Sequence, residues 1–384
     1  MNLNIRILRA FNFCNDFILY APVAILYFTR VSGSFALGMS IFSIAMFSSA
    51  IFEIPTGIFS DRIGRKRTVT LGAISYVFCT IFYAIGYSYI FLVAGAIFEG
   101  LGRSFFSGNN DALLYDTLLE ERKENRFHEY LGNVGSMFQL ALAVSALSGS
   151  FLAGVSFSLV VWLSVIPQIV CVLLSLKLKE PKVHGKKNTG NIYSHLSIAI
   201  KEFKRNKKLR LLSLSDILRY GVGEAYFYFN STFIATLWPI WAIGLAKTLS
   251  YAGGALSFRF SGKVIDKFGA EKLLVTTSIY NRFINIVAIL FPSILSPLLM
   301  STPSLVYGIS SVSTAKLLQK EYTKEQRATM DSLNSLGGST FFAFFSIGLG
   351  LIADKFGIVS AMLLAQICAL PTIFVYYRLI HWKE

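Results

Sequence analysis

The sequence predicts an all-α membrane protein of about twelve transmembrane helices, arranged as two pseudo-symmetric bundles of six. Composition is the first indication: 54% of the 384 residues are hydrophobic, 15% are charged and the mean hydropathy is +0.57. A soluble core of this size does not need so many apolar residues. The second indication is the length of the apolar stretches, each about 20 residues, which is enough to cross about 30 Å of hydrocarbon. An internal repeat is the third, and it indicates two halves.

The predicted spans follow from apolar segments separated by charged or Pro/Gly-rich joints. They begin near residues 8, 35, 68, 89, 129, 156, 210, 237, 272, 294, 326 and 357. Lysine and arginine concentrate in alternate connections, and basic connections of membrane proteins face the cytoplasm. We therefore expect both termini to be cytoplasmic. The same distribution explains the net charge of +15 and the pI of about 9.6 without a nucleic-acid partner.

One long polar stretch divides the chain. We predict an N-terminal six-helix bundle over residues 1–176, a cytoplasmic linker over 177–209 and a C-terminal six-helix bundle over 210–384. Within the linker, apolar residues recur at helical spacing at Ile192, Leu196, Ile200 and Phe203. This stripe fits an amphipathic helix on the inner leaflet, and a solvated spacer is an equal alternative.

Cysteines and histidines are placed where they favour no catalytic or metal chemistry. The four cysteines lie in four different apolar stretches, and the four histidines lie in predicted cytoplasmic segments. We therefore expect neither disulfides nor a metal site, and no intramembrane enzyme. The sequence also has no Gly-x-x-x-x-Gly-Lys-Ser/Thr motif for ATP. Carboxylates at membrane depth then favour a proton gradient as the energy source, with sodium as the open alternative and no bound cofactor.

A charged turn occurs twice with the same spacing, between the predicted second and third spans and between the eighth and ninth. Its residues are Gly57, Asp61, Gly64 and Arg65 in the first copy and Gly262, Asp266 and Gly269 in the second. The first copy resembles the signature loop of the major facilitator superfamily. Topology and repeat extend this resemblance over the whole chain. The second copy departs from the pattern, because Ala270 and Glu271 replace Arg65 and Lys66.

The resemblance implies a cytoplasmic gate. Asp61 would meet the N-terminus of the eleventh helix in the closed state, and Arg65 would pair with Asp116 or Glu120 at the inner end of the fourth helix. Gly57 would allow close approach of a neighbouring helix, and Gly64 would allow the chain to reverse tightly. The predicted gate residues are Gly57, Asp61, Gly64, Arg65, Asp116 and Asp266. The alternative is a solvated turn that only sets topology.

The resemblance also places the first, fourth, seventh and tenth helices around a central cavity, where a charge is costly unless it is paired or hydrated. The predicted cavity residues are Asn12, Asp16, Tyr20, Glu99, Arg103, Phe106, Asn110, Asp111, Arg219, Glu224, Phe227, Asn230 and Tyr307. Asn12, Asp16 and Tyr20 share one face of the first helix through their i, i+4 and i+8 spacing. Asp16 is therefore the candidate for the coupling carboxylate.

Some of these charges have a second interpretation. Glu99 and Arg103 stand at i and i+4, so they either form a static ion pair or take part directly in binding. Glu224 lies deeper in the seventh helix than Asp216, which makes it the stronger cavity candidate. Arg282 in the ninth helix is interpreted as a packing partner or a snorkelling side chain rather than a substrate contact.

The combined pattern favours a monomeric, multi-pass transporter of the bacterial inner or plasma membrane, with the bilayer and a small molecule as its partners. It resembles the drug-efflux branch, which implies alternating access and proton-coupled export of small amphipathic compounds. The export signature is incomplete, because no proline lies between Leu131 and Val155 in the fifth helix. The alternatives are a proton-coupled importer of a nutrient or small anionic solute, clamped by Arg103 and Arg219, and a lipid-moving member.

Overall fold

The computed structural model describes residues 3–181, 203–322 and 327–380. Within these ranges it has no β-strand, and twelve long helical segments follow one another in the predicted order. The predicted all-α membrane fold is therefore confirmed, while the cytoplasmic location of the termini stays a prediction. Most of the predicted linker stripe, Ile192 to Ile200, lies outside the described residues.

The helix bounds agree with most of the predicted spans. The first six spans are Leu3–Asp16 with Ala24–Ser32, Phe35–Ile63, Arg65–Ile85, Tyr89–Phe106 with Asn109–Glu120, Phe127–Ala153, and Phe157–Lys177. The second six are Lys207–Leu237, Ile243–Phe268, Ala270–Leu290, Ser304–Glu321, Arg327–Phe356, and Ile358–Cys368 with Leu370–Ile380. Of the helices within the described ranges, nine spans are long and apolar enough to cross a membrane by length and composition. The seventh, eighth and tenth carry more polar side chains.

The described residues form two compact units. Residues 3–181 and Pro239–Thr248 make up the first unit, and the other described residues make up the second. The inclusion of Pro239–Thr248 in the first unit has a local cause at the beginning of the eighth span. Gly244 lies against the backbone carbonyl of Ala146 in the fifth span, where a Cβ atom would have no room. The predicted boundary at the linker places Pro239–Thr248 in the C-terminal bundle, whereas in the structure this segment packs in the first unit.

Small residues allow close helix packing in the first unit. At Gly100 in the fourth span, a Cβ atom would stand 2.5 Å from Ser48 Cβ and 2.6 Å from the Ala45 carbonyl oxygen in the second span. Real Cβ atoms do not approach so closely, so the two helices pack through this glycine. In each unit, buried apolar side chains from several spans then form a continuous core cluster.

Both copies of the repeated turn reverse the chain at a glycine. Gly64 has φ +93° and Gly269 has φ +81°, and each immediately precedes the next helix. This left-handed backbone suits glycine, and it explains the tight reversal predicted at Gly64. Gly57 lies inside the second helix, and no described atom stands within 4 Å of its Cβ position, so the close helix approach at this residue stays a prediction.

Four spans differ from their predicted form, and one of them is the twelfth, which is interrupted at Ala369. The tenth begins at Ser304 rather than near residue 294, because proline-containing turns and the short helix Ser296–Leu299 occupy the intervening residues. The first span is interrupted after Asp16, and the fourth is interrupted before Asn109, where Gly108 has φ +69°. Unbroken apolar runs conceal such interruptions at the level of sequence.

Candidate functional site

The interruption of the first span exposes backbone groups that other helices satisfy. The helix that ends at Asp16 resumes through the turn Ala21–Val23, and Pro22 supplies no N–H group for a continuous helix. The N–H of Leu19 donates to Ser164 Oγ at 3.1 Å, and Gln168 Nε2 donates to the carbonyl oxygen of Asn15 at 3.1 Å. Both polar side chains belong to the sixth span and are completely buried. They satisfy backbone groups that the interruption leaves unpaired, which stabilises the interrupted helix at membrane depth.

Asp16 occupies the C-terminal end of this half-helix. Asn15 Nδ2 donates to Asp16 Oδ1 at 3.3 Å, and no lysine or arginine of the described residues lies within 4.0 Å of the carboxylate. The guanidinium of Arg103 lies within electrostatic range but beyond ion-pair distance. The negative end of the helix dipole also faces Asp16. Asp16 is therefore a carboxylate without a close compensating charge.

The other carboxylate of this region is neutralised on its own helix. Glu99 Oε1 accepts from Arg103 Nη2 at 2.7 Å and from Arg103 Nε at 3.1 Å. Its second oxygen accepts from the Tyr83 hydroxyl at 2.9 Å. Glu99 is 14% exposed and Arg103 is 36% exposed. The geometry agrees with the ion-pair interpretation, and the partial exposure of Arg103 leaves its outer edge accessible.

Aromatic rings surround this ion pair within the first unit. Tyr20 packs edge-on against Tyr83 with centroids 5.7 Å apart, and Phe106 stacks on Tyr76 at 5.5 Å and 9°. The structure thus brings the predicted Tyr20, Phe106, Glu99 and Arg103 together. Sequence reasoning missed the two tyrosines of the third span. Their spacing of seven residues, which places both on one helix face, was the available signal.

Three other predicted residues do not join this cluster through a described contact. Asn12 is half-buried and makes no described side-chain hydrogen bond. Asn110 and Asp111 lie beyond the interruption of the fourth span, where Asp111 is exposed. Asn110 therefore does not continue the helix face of Glu99, since Gly108 redirects the chain between them.

Arg65 contacts two polar side chains beside the predicted gate. Its Nη1 atom donates to Ser60 Oγ at 2.9 Å and to Asn109 Oδ1 at 2.8 Å. Asn109 is therefore one partner of Arg65, and the pairing of Arg65 with Asp116 or Glu120 stays a prediction. The side chain of Asp61 lies outside the described set. In the second copy, Asp266 is 79% exposed and stands 3.6 Å from Lys316, as expected of a solvated pair.

The second unit gathers a second polar and aromatic group. Glu224 lies within electrostatic range of Tyr251 and Tyr307. Phe227 packs edge-on against Tyr251 at 6.1 Å. The predicted Glu224 therefore lies near the predicted Tyr307, and both Glu224 and Phe227 lie near Tyr251, an eighth-span residue that sequence reasoning missed. Asn230 is buried and its Oδ1 atom has no described hydrogen-bond partner.

The arginines of the second unit are not equivalent. Arg219 donates to Asp216 Oδ1 at 2.7 Å, an ion pair within one helix. Arg282 instead donates from Nη1 to Gln366 Oε1 at 2.7 Å, a neutral amide. Arg282 was interpreted as a packing or snorkelling side chain, and the structure places it against the twelfth span. In the described parts of the chain, no cluster of three His, Cys, Asp or Glu side chains is arranged to hold a metal.

Known proteins share this fold and parts of this sequence. An uncharacterized transporter of Buchnera aphidicola subsp. Acyrthosiphon pisum is 32% identical over 139 residues, which cover 36% of this chain and 33% of that protein. The methylenomycin A resistance protein of Bacillus subtilis is 31% identical over 144 residues, which cover 36% of this chain and 29% of that protein. The chain thus matches about a third of the length of these curated relatives.

Structural similarity extends over the whole chain. The crystal structure of the nucleoside transporter NupG superposes with a TM-score of 0.84 and covers 100% of both chains at 13% identity. An identity this low supports the fold alone. The sequence model of the Major Facilitator Superfamily matches residues 7–339. The repeated turn, the twelve helices and this match together establish that the chain belongs to the Major Facilitator Superfamily.

Proposed function

We propose that this protein exports small amphipathic compounds by alternating access and couples export to proton entry. It is a multi-pass integral membrane protein with the family and fold of transporters, and its bacterial relatives favour a cell membrane location. The observation that carries the proposed coupling is the contrast between Asp16 and the other carboxylates. Glu99 and Asp216 each have an arginine at 2.7 Å, whereas Asp16 has an amide at 3.3 Å.

A carboxylate in this position is suited to proton exchange. An ionised side chain at membrane depth costs several kcal/mol when it is not paired, and protonation removes that charge. Arg103 lies close enough to influence Asp16 but is held by Glu99. A substrate that displaces or recruits Arg103 would change the cost of ionising Asp16. This linkage would connect substrate release to proton uptake.

The surroundings of Asp16 support an amphipathic substrate. Tyr20, Tyr76, Tyr83 and Phe106 provide apolar ring surface beside one neutralised ion pair. Aromatic rings next to a carboxylate suit a molecule with an apolar body and a cationic group. The similarity to a methylenomycin A resistance protein is compatible with efflux.

The alternative of anion import is less well supported, because the two arginines expected to bind the anion are already paired. Arg103 and Arg219 were the expected clamp for an anionic solute, yet each is engaged by a carboxylate of its own helix. A guanidinium in such a pair has less charge to offer a second anion. An importer of anions would have to use a different cation of its spans, such as Arg282 in the ninth.

The test is proton release from inverted membrane vesicles that contain the full chain. An inward acid gradient is built, a cationic amphiphile is added, and wild type is compared with Asp16→Asn and with Asp354→Asn, an exposed carboxylate that serves as control. We expect dissipation in wild type and in the control, and none in Asp16→Asn. Substrate exchange without a gradient should persist in Asp16→Asn, which shows that the variant folds.

Dissipation by Asp16→Asn at the wild-type rate would rule out Asp16 as the coupling group. Accumulation of a polar or anionic solute by right-side-out vesicles, without any response to cationic amphiphiles, would reject export.

A further inference from the structure

A positive charge without an acidic partner lies inside the second unit. Arg282 makes a hydrogen bond to Gln366 Oε1, and no carboxylate of the described residues stands within 4.0 Å of its guanidinium. The charged neighbour within its electrostatic range is Arg219, which has the same sign and is paired with Asp216. Asp216 is paired with Arg219, and no carboxylate of the described residues offsets the charge of Arg282 at ion-pair distance. At membrane depth such a charge is costly without a counter-ion.

The hydrogen-bond donors around this charge are also incompletely used. Arg282 Nε and Gln366 Nε2 are both buried and neither has an acceptor. The amide of Gln366 cannot be turned round, because its oxygen must face the guanidinium that donates to it. Its NH₂ group therefore points away from Arg282 without a partner, on a side chain that is 0% exposed. Both unsatisfied atoms are donors, which is what an anion requires.

Two tyrosine hydroxyls border the same region. Tyr376 lies within electrostatic range of both Arg282 and Arg219, and its hydroxyl faces Thr314. The Tyr226 hydroxyl on the other side is already bound to Asn285 Oδ1 at 2.7 Å. The region thus has a positive charge and two unsatisfied N–H donors, Arg282 Nε from the ninth span and Gln366 Nε2 from the twelfth.

We propose that the second unit binds a small monovalent anion at Arg282, with the Gln366 amide as a neutral donor. One unmatched charge favours a monovalent ligand, which is a halide or the carboxylate group of a solute. The guanidinium offers a planar fork that suits either ligand. This site is independent of the proposed proton exchange at Asp16, and it gives the chain a cation for anionic ligands that Arg103 and Arg219 do not supply.

A purely structural role for Arg282 makes the opposite prediction about stability. A buried charge that only fills space is replaced at little cost by an apolar side chain of similar volume. Arg282→Met should then be as stable as wild type in every salt. An anion site predicts instead that the wild type gains stability as the anion concentration rises, since a ligand that binds only the folded state stabilises it.

The experiment is thermal unfolding of the purified full chain in detergent at constant ionic strength. Chloride, acetate and benzoate are each titrated against gluconate, which is too large for a buried site. We expect a saturable rise in Tm with at least one of these anions. A response to chloride alone identifies a halide site, and a response to acetate or benzoate identifies a carboxylate site.

Variants show which residues the rise in Tm depends on. Arg282→Met should abolish the rise, whereas Arg378→Met, which removes an exposed arginine of the twelfth span, should retain it. Gln366→Leu keeps the charge and removes one donor, so its apparent affinity should fall about tenfold. This second variant decides the question if Arg282→Met does not fold.

No rise in wild type, or an undiminished rise in Arg282→Met or Gln366→Leu, would overturn the proposal. Asp16→Asn should keep the full rise in Tm with the anion. The proton assay and the anion titration can therefore give a negative result independently of one another.

Discussion

Glu180 closes the N-terminal end of the helix that begins at Arg65. Its Oε1 atom accepts the backbone N–H of Arg65 at 2.6 Å, and its Oε2 atom accepts the next backbone N–H at 2.7 Å. The first N–H groups of a helix have no acceptor within it, and a carboxylate also complements the helix dipole. Glu180, which follows the sixth span, therefore stabilises the helix start at the first copy of the repeated turn, although it is not part of the turn's own sequence pattern.

Replacing this cap should destabilise the first unit. We expect Glu180→Ala to lower the free energy of unfolding by about 1–2 kcal/mol, because two charge-assisted hydrogen bonds are lost. Glu124→Ala removes an exposed acid from the same unit and should change stability by less than about 0.5 kcal/mol. Thermal unfolding in detergent gives the comparison. Equal effects of the two variants would show that the cap contributes nothing.

The Glu99–Arg103 pair should behave as one unit in a double-mutant cycle. Glu99→Gln leaves the guanidinium without its 2.7 Å partner, and Arg103→Gln leaves the carboxylate with the Tyr83 hydroxyl alone. Each single variant should lose about 1–2 kcal/mol, a moderate value because Arg103 is partly exposed. The double variant should lose at least about 1 kcal/mol less than the sum. Strict additivity would exclude a coupled pair.

The break in the first span should depend on one buried hydroxyl. Ser164→Ala removes the acceptor of the Leu19 N–H, and an unsatisfied buried N–H costs about 1–3 kcal/mol. Ser175 lies on the same helix, is equally buried, and bonds only to the Val172 carbonyl of its own helix at 2.7 Å. Ser175→Ala should therefore be nearly neutral. Unfolding midpoints of the two variants provide the test, and a larger loss at Ser175 would contradict it.

The close packing of the second and fourth spans should not tolerate a methyl group. Gly100→Ala would force the new Cβ against Ser48 and the Ala45 carbonyl, which predicts a loss of about 1–3 kcal/mol. Gly132 in the fifth span has no described atom within 4 Å of its Cβ position, so Gly132→Ala should be neutral or should stabilise its helix by about 0.5–1 kcal/mol. Protein yield and Tm distinguish the two outcomes.

The sequence predicted features that depend on local patterns. Span length, the repeated turn and the reversal at Gly64 follow from composition and glycine spacing, and the ion pair of Glu99 with Arg103 follows from an i, i+4 separation. Features that join distant helices were not predictable in the same way. The environment of Arg282 depends on Gln366, and the break after Asp16 depends on Ser164. No periodicity within one helix contains that information.

The tenth span shows how local signals can also compete. An apolar run from residue 294 suggested an early start, but Pro297 and Pro303 keep that run in turns and one short helix. Hydropathy identifies the presence of a span, and backbone chemistry sets where its helix begins.

The polar support of the broken first span has a consequence for biosynthesis. Ser164 follows Leu19 by 145 residues, so at a synthesis rate of about 5–20 residues per second it emerges roughly 7–30 s later. During this delay the Leu19 N–H lacks its hydroxyl acceptor. The first segment is therefore expected to enter the bilayer as an uninterrupted helix, or to wait beside the insertion machinery. It would acquire its break only when the sixth segment arrives, which makes completion of the first half the step that creates the environment of Asp16.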